Sequence, residues 1–79
     1  MKKYKVVEVT WIDIETHGGW NTEDRPFTEM RAYGLLKSRT KDKIVLACTL
    51  DPDTGHWSDE YRFPRGCVKK IRVIEEVEI

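Results

Sequence analysis

Ile44-Val45-Leu46-Ala47-Cys48-Thr49-Leu50, then Asp51-Pro52-Asp53-Thr54-Gly55, then His56-Trp57-Ser58-Asp59-Glu60-Tyr61-Arg62-Phe63 reads as a β-hairpin. The first segment is a nearly continuous apolar run, the pattern of a strand covered on both sides. The second joins Pro, Gly and two Asp in five residues, a combination whose backbone preferences favour a tight turn. The third alternates, with Trp57, Asp59, Tyr61 and Phe63 on one face and His56, Ser58, Glu60 and Arg62 on the other.

Working outward from this hairpin, the same period-two pattern recurs. Residues 64–66, Pro-Arg-Gly, predict a tight turn with a short 3₁₀ step, and a last strand follows from about 67 to 78. Towards the N-terminus, residues 36–42 end in a polar turn. Residues 27–39 predict a strand with Met30, Ala32, Gly34 and Leu36 on one side. Gly34 in mid-strand predicts a bulge or a sharp bend. A short helix over 28–33, capped by Thr28, is the alternative at that point. Residues 4–14 are rich in β-branched and aromatic side chains, with Val7, Val9 and Trp11 as the core face. Residues 15–26, with Gly18, Gly19, Asn21 and Pro26, form the longest irregular stretch, and Trp20 within it is placed to cover one end of the core. Five strands joined this way predict an all-β fold, a small five-stranded antiparallel barrel, closed or nearly so.

The chain has 79 residues, enough for one domain with a thin core, so residues 1–79 are read as a single β-barrel domain. With 39% hydrophobic and 35% charged residues it lies away from the depleted composition of disordered chains. Basic and acidic residues number 14 each, so no net field draws the chain to nucleic acid or to an anionic membrane. The distribution is uneven. Residues 31–50 hold five basic groups against one acid, while the flanking segments are each slightly acidic. No apolar run approaches the roughly 20 residues of a membrane span, and the basic N-terminus is not followed by a signal core. These features predict a cytoplasmic protein. Two cysteines, Cys48 and Cys67, suit that compartment. Cys48, inside an apolar run, reads as a small core residue; whether the two cysteines pair is left open.

The order of Trp11-x-Asp13, Gly19-Trp20, Gly34-Leu35-Leu36-Lys37, Ile44-Val45-Leu46-Ala47 and Pro64-x-Gly66-Cys67-Val68 resembles a group of short, uncharacterised phage and prophage proteins. The resemblance spans nearly the whole chain through single tryptophans, glycines and prolines. It implies an SH3-like barrel and a viral or prophage setting, hence a host cytoplasm, and it brings no activity and no functional residues with it.

Motifs that carry chemistry are sparse. Asp13, Glu15 and His17 alternate and would share one side of an extended chain, but no further ligand stands at a defined spacing. Asp51-x-Asp53-x-Gly55 begins like a calcium loop and fails at the fifth, sixth and twelfth positions, which are Gly55, His56 and Arg62. His17, Cys48, His56 and Cys67 lack the paired short spacings of a structural zinc site. Phosphate loops and dinucleotide fingerprints do not occur. The expectation is therefore a protein that is not an enzyme and uses no cofactor and no metal, with no small-molecule substrate in evidence.

Two binding readings remain. The first is a binding or assembly module, a phage or prophage accessory protein whose partner is another protein or a second copy of itself. The second is a nucleic-acid interface for RNA or single-stranded DNA, in which Lys37, Arg39, Lys41 and Lys43 grip the backbone while Trp20 or Tyr33 stacks on bases. Against it stands the plainer role of a solvated turn whose lysines discourage edge pairing.

Overall fold

A computed structural model describes residues 2–13 and 28–79. Five strands occur among them: β1 (Lys3–Ile12), β2 (Glu29–Arg39), β3 (Lys43–Leu50), β4 (Trp57–Pro64) and β5 (Val68–Glu78), with a 3₁₀ turn, η1 (Arg65–Cys67), between the last two. Residues 29–33 lie in β2, which begins at Glu29, so the helical alternative over 28–33 does not form. The predicted irregular stretch, residues 15–26, lies outside the described residues.

All neighbouring strands are antiparallel and make one sheet in the order β4-β3-β2-β1-β5. The sheet is not closed: β4 and β5 are its two edges. Pro64, which has no N–H to offer a ladder, ends β4, and η1 then swings the chain across to β1. β5 pairs along β1 from Trp11↔Val68 to Lys3↔Glu78, with bulges at Lys69 and Ile74.

Strong curling replaces closure. β2 pairs with β1 through Glu29 to Leu35 and with β3 from Leu35 to Arg39, so Leu35 faces both Val6 and Ala47 and the strand turns a corner there. Gly34 makes this corner feasible. A Cβ at that position would lie 3.1 Å from the Ala47 carbonyl oxygen and 3.3 Å from Leu46 Cβ. The curl brings Phe63 of β4 to within 5.5 Å of Trp11 of β1, ring centre to ring centre, although two strands separate them in the sheet. Tyr4 and Trp57 meet edge to face at 5.2 Å in the same way.

The core fills the inside of the curl. Val7, Val9, Ile44, Leu46 and Phe63 are buried, and Trp11, Ala32, Leu36, Val68 and Ile71 pack around them. Val7 and Val9 lie on the face of β1 that the alternation predicts. Glu8 and Thr10, on the opposite face, are nearly as buried at 6% and 7% exposure. Their cover comes from the flanking strands. Tyr33 and Arg72 stand opposite Glu8 in the two ladders, and Arg31 and Lys70 stand opposite Thr10.

The turns follow from local hydrogen bonding. Asp51 Oδ1 accepts the N–H groups of Asp53 and Thr54 at 2.9 and 3.4 Å, and the Asp51 carbonyl accepts Gly55 N–H at 2.8 Å. Gly55 takes φ of +76°, which glycine adopts without a Cβ clash. These bonds hold the Asp51 carboxyl below its ordinary pKa, chiefly through the Asp53 amide. Asp51, which opens the calcium-like pattern, thus caps a hairpin. No helix of the described residues is long and apolar enough to cross a membrane.

Candidate functional site

Two features of the described surface are candidates: an aromatic groove between β1 and β4, and the basic tip between β2 and β3. The groove follows from the curl. Trp11 at the end of β1 lies against Phe63 near the end of β4, and Tyr61 stacks on Phe63 with ring centres 6.1 Å apart and planes 21° from parallel. Pro64 and Cys67 close one side as η1 begins, and Asp13 and Arg62 stand among the lining residues. The cleft encloses about 370 Å³ and its walls are mainly apolar.

The three rings form a graded series. Phe63 is buried at 6% exposure, Trp11 is half-buried, and Tyr61 is 51% exposed. Such an aromatic ladder offers flat, rigid contact area at little cost in side-chain entropy. The alternation of residues 56–63 places Tyr61 and Phe63 on one face, and Trp11 lies on the predicted core face of β1. Their meeting depends on the sheet's curl, which no local pattern reports.

The basic tip is built differently. Thr40 organises it: Thr40 N–H donates to the Lys43 carbonyl at 2.9 Å, and its hydroxyl oxygen accepts the amides of Asp42 and Lys43, each at 3.2 Å. Arg65 N–H donates to the Asp42 carbonyl at 2.9 Å, which docks the tip on η1. Lys43 pairs with Pro64 and so stands beside the groove. Arg39 and Lys41 are exposed and carry no ion pair among the described residues.

Lys37 and Tyr33 are occupied elsewhere. Lys37 forms an ion pair with Glu60 that reaches from β2 to β4 across β3, and this lysine holds the Glu60 carboxyl below its usual range. The Tyr33 hydroxyl donates to Glu8 Oε2 at 2.8 Å. Arg72 Nη2 and Nε donate to the two oxygens of the same carboxylate at 3.1 and 3.4 Å. Arg72 first, and Tyr33 second, lower the Glu8 pKa, and the bond to Glu8 raises that of Tyr33. Lys69 and Glu29 make a third strap, from β5 to β2 across β1. The structure therefore gathers Arg39, Lys41 and Lys43 at one tip and leaves Lys37 and Tyr33 on the strapped face. Trp20 lies outside the described residues, as do Glu15 and His17.

Among the described residues no group of three or more His, Cys, Asp or Glu side chains is placed to hold a metal ion. Cys48 is exposed and Cys67 half-buried, and both are free thiols. The predicted core role of Cys48 does not hold. β2 stops pairing with β3 at Ala47, so β2 no longer covers the strand at Cys48, which is left exposed on the face it shares with Leu46. No protein-family model, no curated protein and no solved structure matches this chain.

Proposed function

We propose that the protein is a non-enzymatic binding module with an SH3-like barrel fold, and that it holds an extended apolar segment of a partner protein in the groove formed by Trp11, Tyr61, Phe63, Pro64 and Cys67. The observation that carries this reading is the half-open aromatic ladder, in which Tyr61 stays 51% exposed while stacked on a buried Phe63. Exposed aromatic faces beside a concave apolar wall are favoured sites of protein contact. The fold part of the proposal is supported by the connection order: a long link from β1 to β2, a short hairpin from β3 to β4, and a 3₁₀ turn leading into β5. The resemblance noted above supplies the setting, an accessory role in a phage or prophage, for which neighbouring virion genes would be the independent sign. Arg62 at the wall and Lys43 opposite Pro64, two cations against the one carboxylate of Asp13, favour a partner segment that carries an acidic residue beside its apolar ones.

Selection from a displayed library of random peptides tests the groove. Enrichment of extended sequences with aromatic or aliphatic residues is expected, with chemical-shift changes at Trp11, Tyr61 and Cys67. Tyr61→Ala should weaken such binding by on the order of tenfold or more. Peptides that bind equally well to Tyr61→Ala, or a library that yields none, would sink the reading.

The nucleic-acid reading keeps one specific support, the exposed Arg39 and Lys41, which make no ion pair among the described residues, beside Lys43. It calls for salt-dependent binding of single-stranded DNA or RNA that Arg39→Ala/Lys41→Ala removes. Absence of binding at low salt rejects it.

A further inference from the structure

β5 is an edge strand of 11 residues, and among the described residues no strand pairs with its outer side. Its sequence divides by charge. Lys69, Lys70 and Arg72 lie in the first half, and Glu75, Glu76 and Glu78 lie in the second. Val73 and Ile74 stand between them, exposed at 52% and 47%, and Ile79 just beyond is exposed at 45%. These three account for half of the six large exposed hydrophobic residues described. A long edge with exposed β-branched residues is a template for another strand.

We propose that β5 pairs antiparallel with β5 of a second copy of this chain, with Val73 and Ile74 at the two-fold axis. In that arrangement the basic half of each strand faces the acidic half of the other, and the match occurs twice. A parallel pairing would set like charges against each other along the whole edge, which is unfavourable. The bulges shape the fit: Ile74 interrupts the ladder at the centre, leaving the regular stretches 70–73 and 75–78 to lie across one another.

The opposite edge explains why such pairing stops at two. β4 carries Asp59 at φ of +57°, a left-handed residue inside a strand, and ends in Pro64. Both features spoil a ladder on its outer side. A β5-to-β5 contact is isologous and closes on itself, so an open fibre does not follow.

Sedimentation or light scattering over a concentration series tests the proposal on the full chain. A contact this small is expected to give a dimer with a Kd of about 1–100 µM. Lys70 and Glu78 are the informative pair, because they face each other when 70–73 lies across 75–78 and neither makes an ion pair among the described residues. Lys70→Glu alone and Glu78→Lys alone should each weaken the dimer by roughly tenfold, since each change occurs twice. The double variant Lys70→Glu/Glu78→Lys should recover most of the loss. Ile74→Lys, at an exposed bulge, should give a folded monomer by circular dichroism. A wild-type chain that stays monomeric at about 1 mM overturns the proposal. So does a dimer indifferent to Ile74→Lys and to the charge swap.

Discussion

Tyr33 and Glu8 sit directly opposite each other in the β1–β2 ladder, and the tyrosine hydroxyl donates to the carboxylate at 2.8 Å. Arg72 faces the same glutamate from β5, so one buried carboxylate ties three strands together. The consequence is a defined acid response. Glu8, Glu29, Glu60 and Asp51 all have lowered pKa values, from Arg72, Lys69, Lys37 and the Asp53 amide respectively. A carboxyl whose folded pKa is depressed adds stability above its unfolded pKa, near 4, and loses it as pH falls through the folded value. Thermal melts from pH 7 to pH 2 should therefore show a plateau down to about pH 5 and a steep loss below about 4. Glu8→Gln should lower the plateau and flatten the fall. An equal slope in that variant would mean that Glu8 takes no part.

Tyr33 gives the mirror-image test at high pH. Its raised pKa, caused first by the bond to Glu8, contributes stability present below about 10 and lost as pH rises through the folded value. Tyr33→Phe should remove that alkaline component and leave the Arg72–Glu8 pair in place. Melts between pH 8 and pH 11 measure it.

The strands were legible because their signals are local. Alternation in residues 4–14 and 56–63 and the Asp51–Gly55 turn depend on neighbours in sequence. Gly34 was readable as a bend for the same reason. What stayed hidden depends on which strand lies alongside. Glu8 looks like a solvated position until Tyr33 and Arg72 arrive from both sides, 25 and 64 residues away. Cys48 looks like core until β2 leaves β3 at Ala47. The basic stretch overstated the charge on offer, since counting along the chain does not reveal that Glu60 answers Lys37 across β3. Tyr61 and Phe63 were readable as one face, but their partner Trp11 lies across the curl.

Gly34 and Gly66 should respond oppositely to alanine. At Gly34 the new Cβ meets the Ala47 carbonyl at 3.1 Å, a backbone atom with little room to move, and the β2 corner must open. A loss of about 1–3 kcal/mol is expected, the usual cost of overpacking. At Gly66 nothing lies within 4 Å, so Gly66→Ala should change stability by no more than about 0.5 kcal/mol. Urea unfolding of both variants decides the matter. Equal effects would remove the role given to Gly34.

Leu46 and Cys48, two residues apart on β3, should differ as sharply. Leu46 is fully buried against Val7, Val9, Ile44 and Phe63, and Leu46→Ala should cost about 2–5 kcal/mol through lost burial and a residual cavity. Cys48 is exposed, so Cys48→Ser should be neutral within about 0.5 kcal/mol. Denaturant midpoints would expose an error if Cys48→Ser proved as damaging as a core deletion.

The two thiols also separate the groove from the rest of the surface. Cys48 is exposed on β3, whereas Cys67 is half-buried at the end of η1 and lines the groove with Trp11, Phe63 and Pro64. Access governs reaction with a bulky maleimide, so Cys48 should label first and Cys67 more slowly. Once attached at Cys67, the adduct fills space that a bound apolar segment needs. Labelled Cys48→Ser protein, modified at Cys67 alone, should lose binding to peptides selected against the groove. Labelled Cys67→Ser protein, modified at Cys48 alone, should keep it. Mass spectrometry confirms which thiol carries the label, and a competition assay reads the binding. If modification at Cys67 leaves peptide affinity unchanged, the peptides bind elsewhere, and the aromatic ladder of Trp11, Phe63 and Tyr61 loses the role proposed for it.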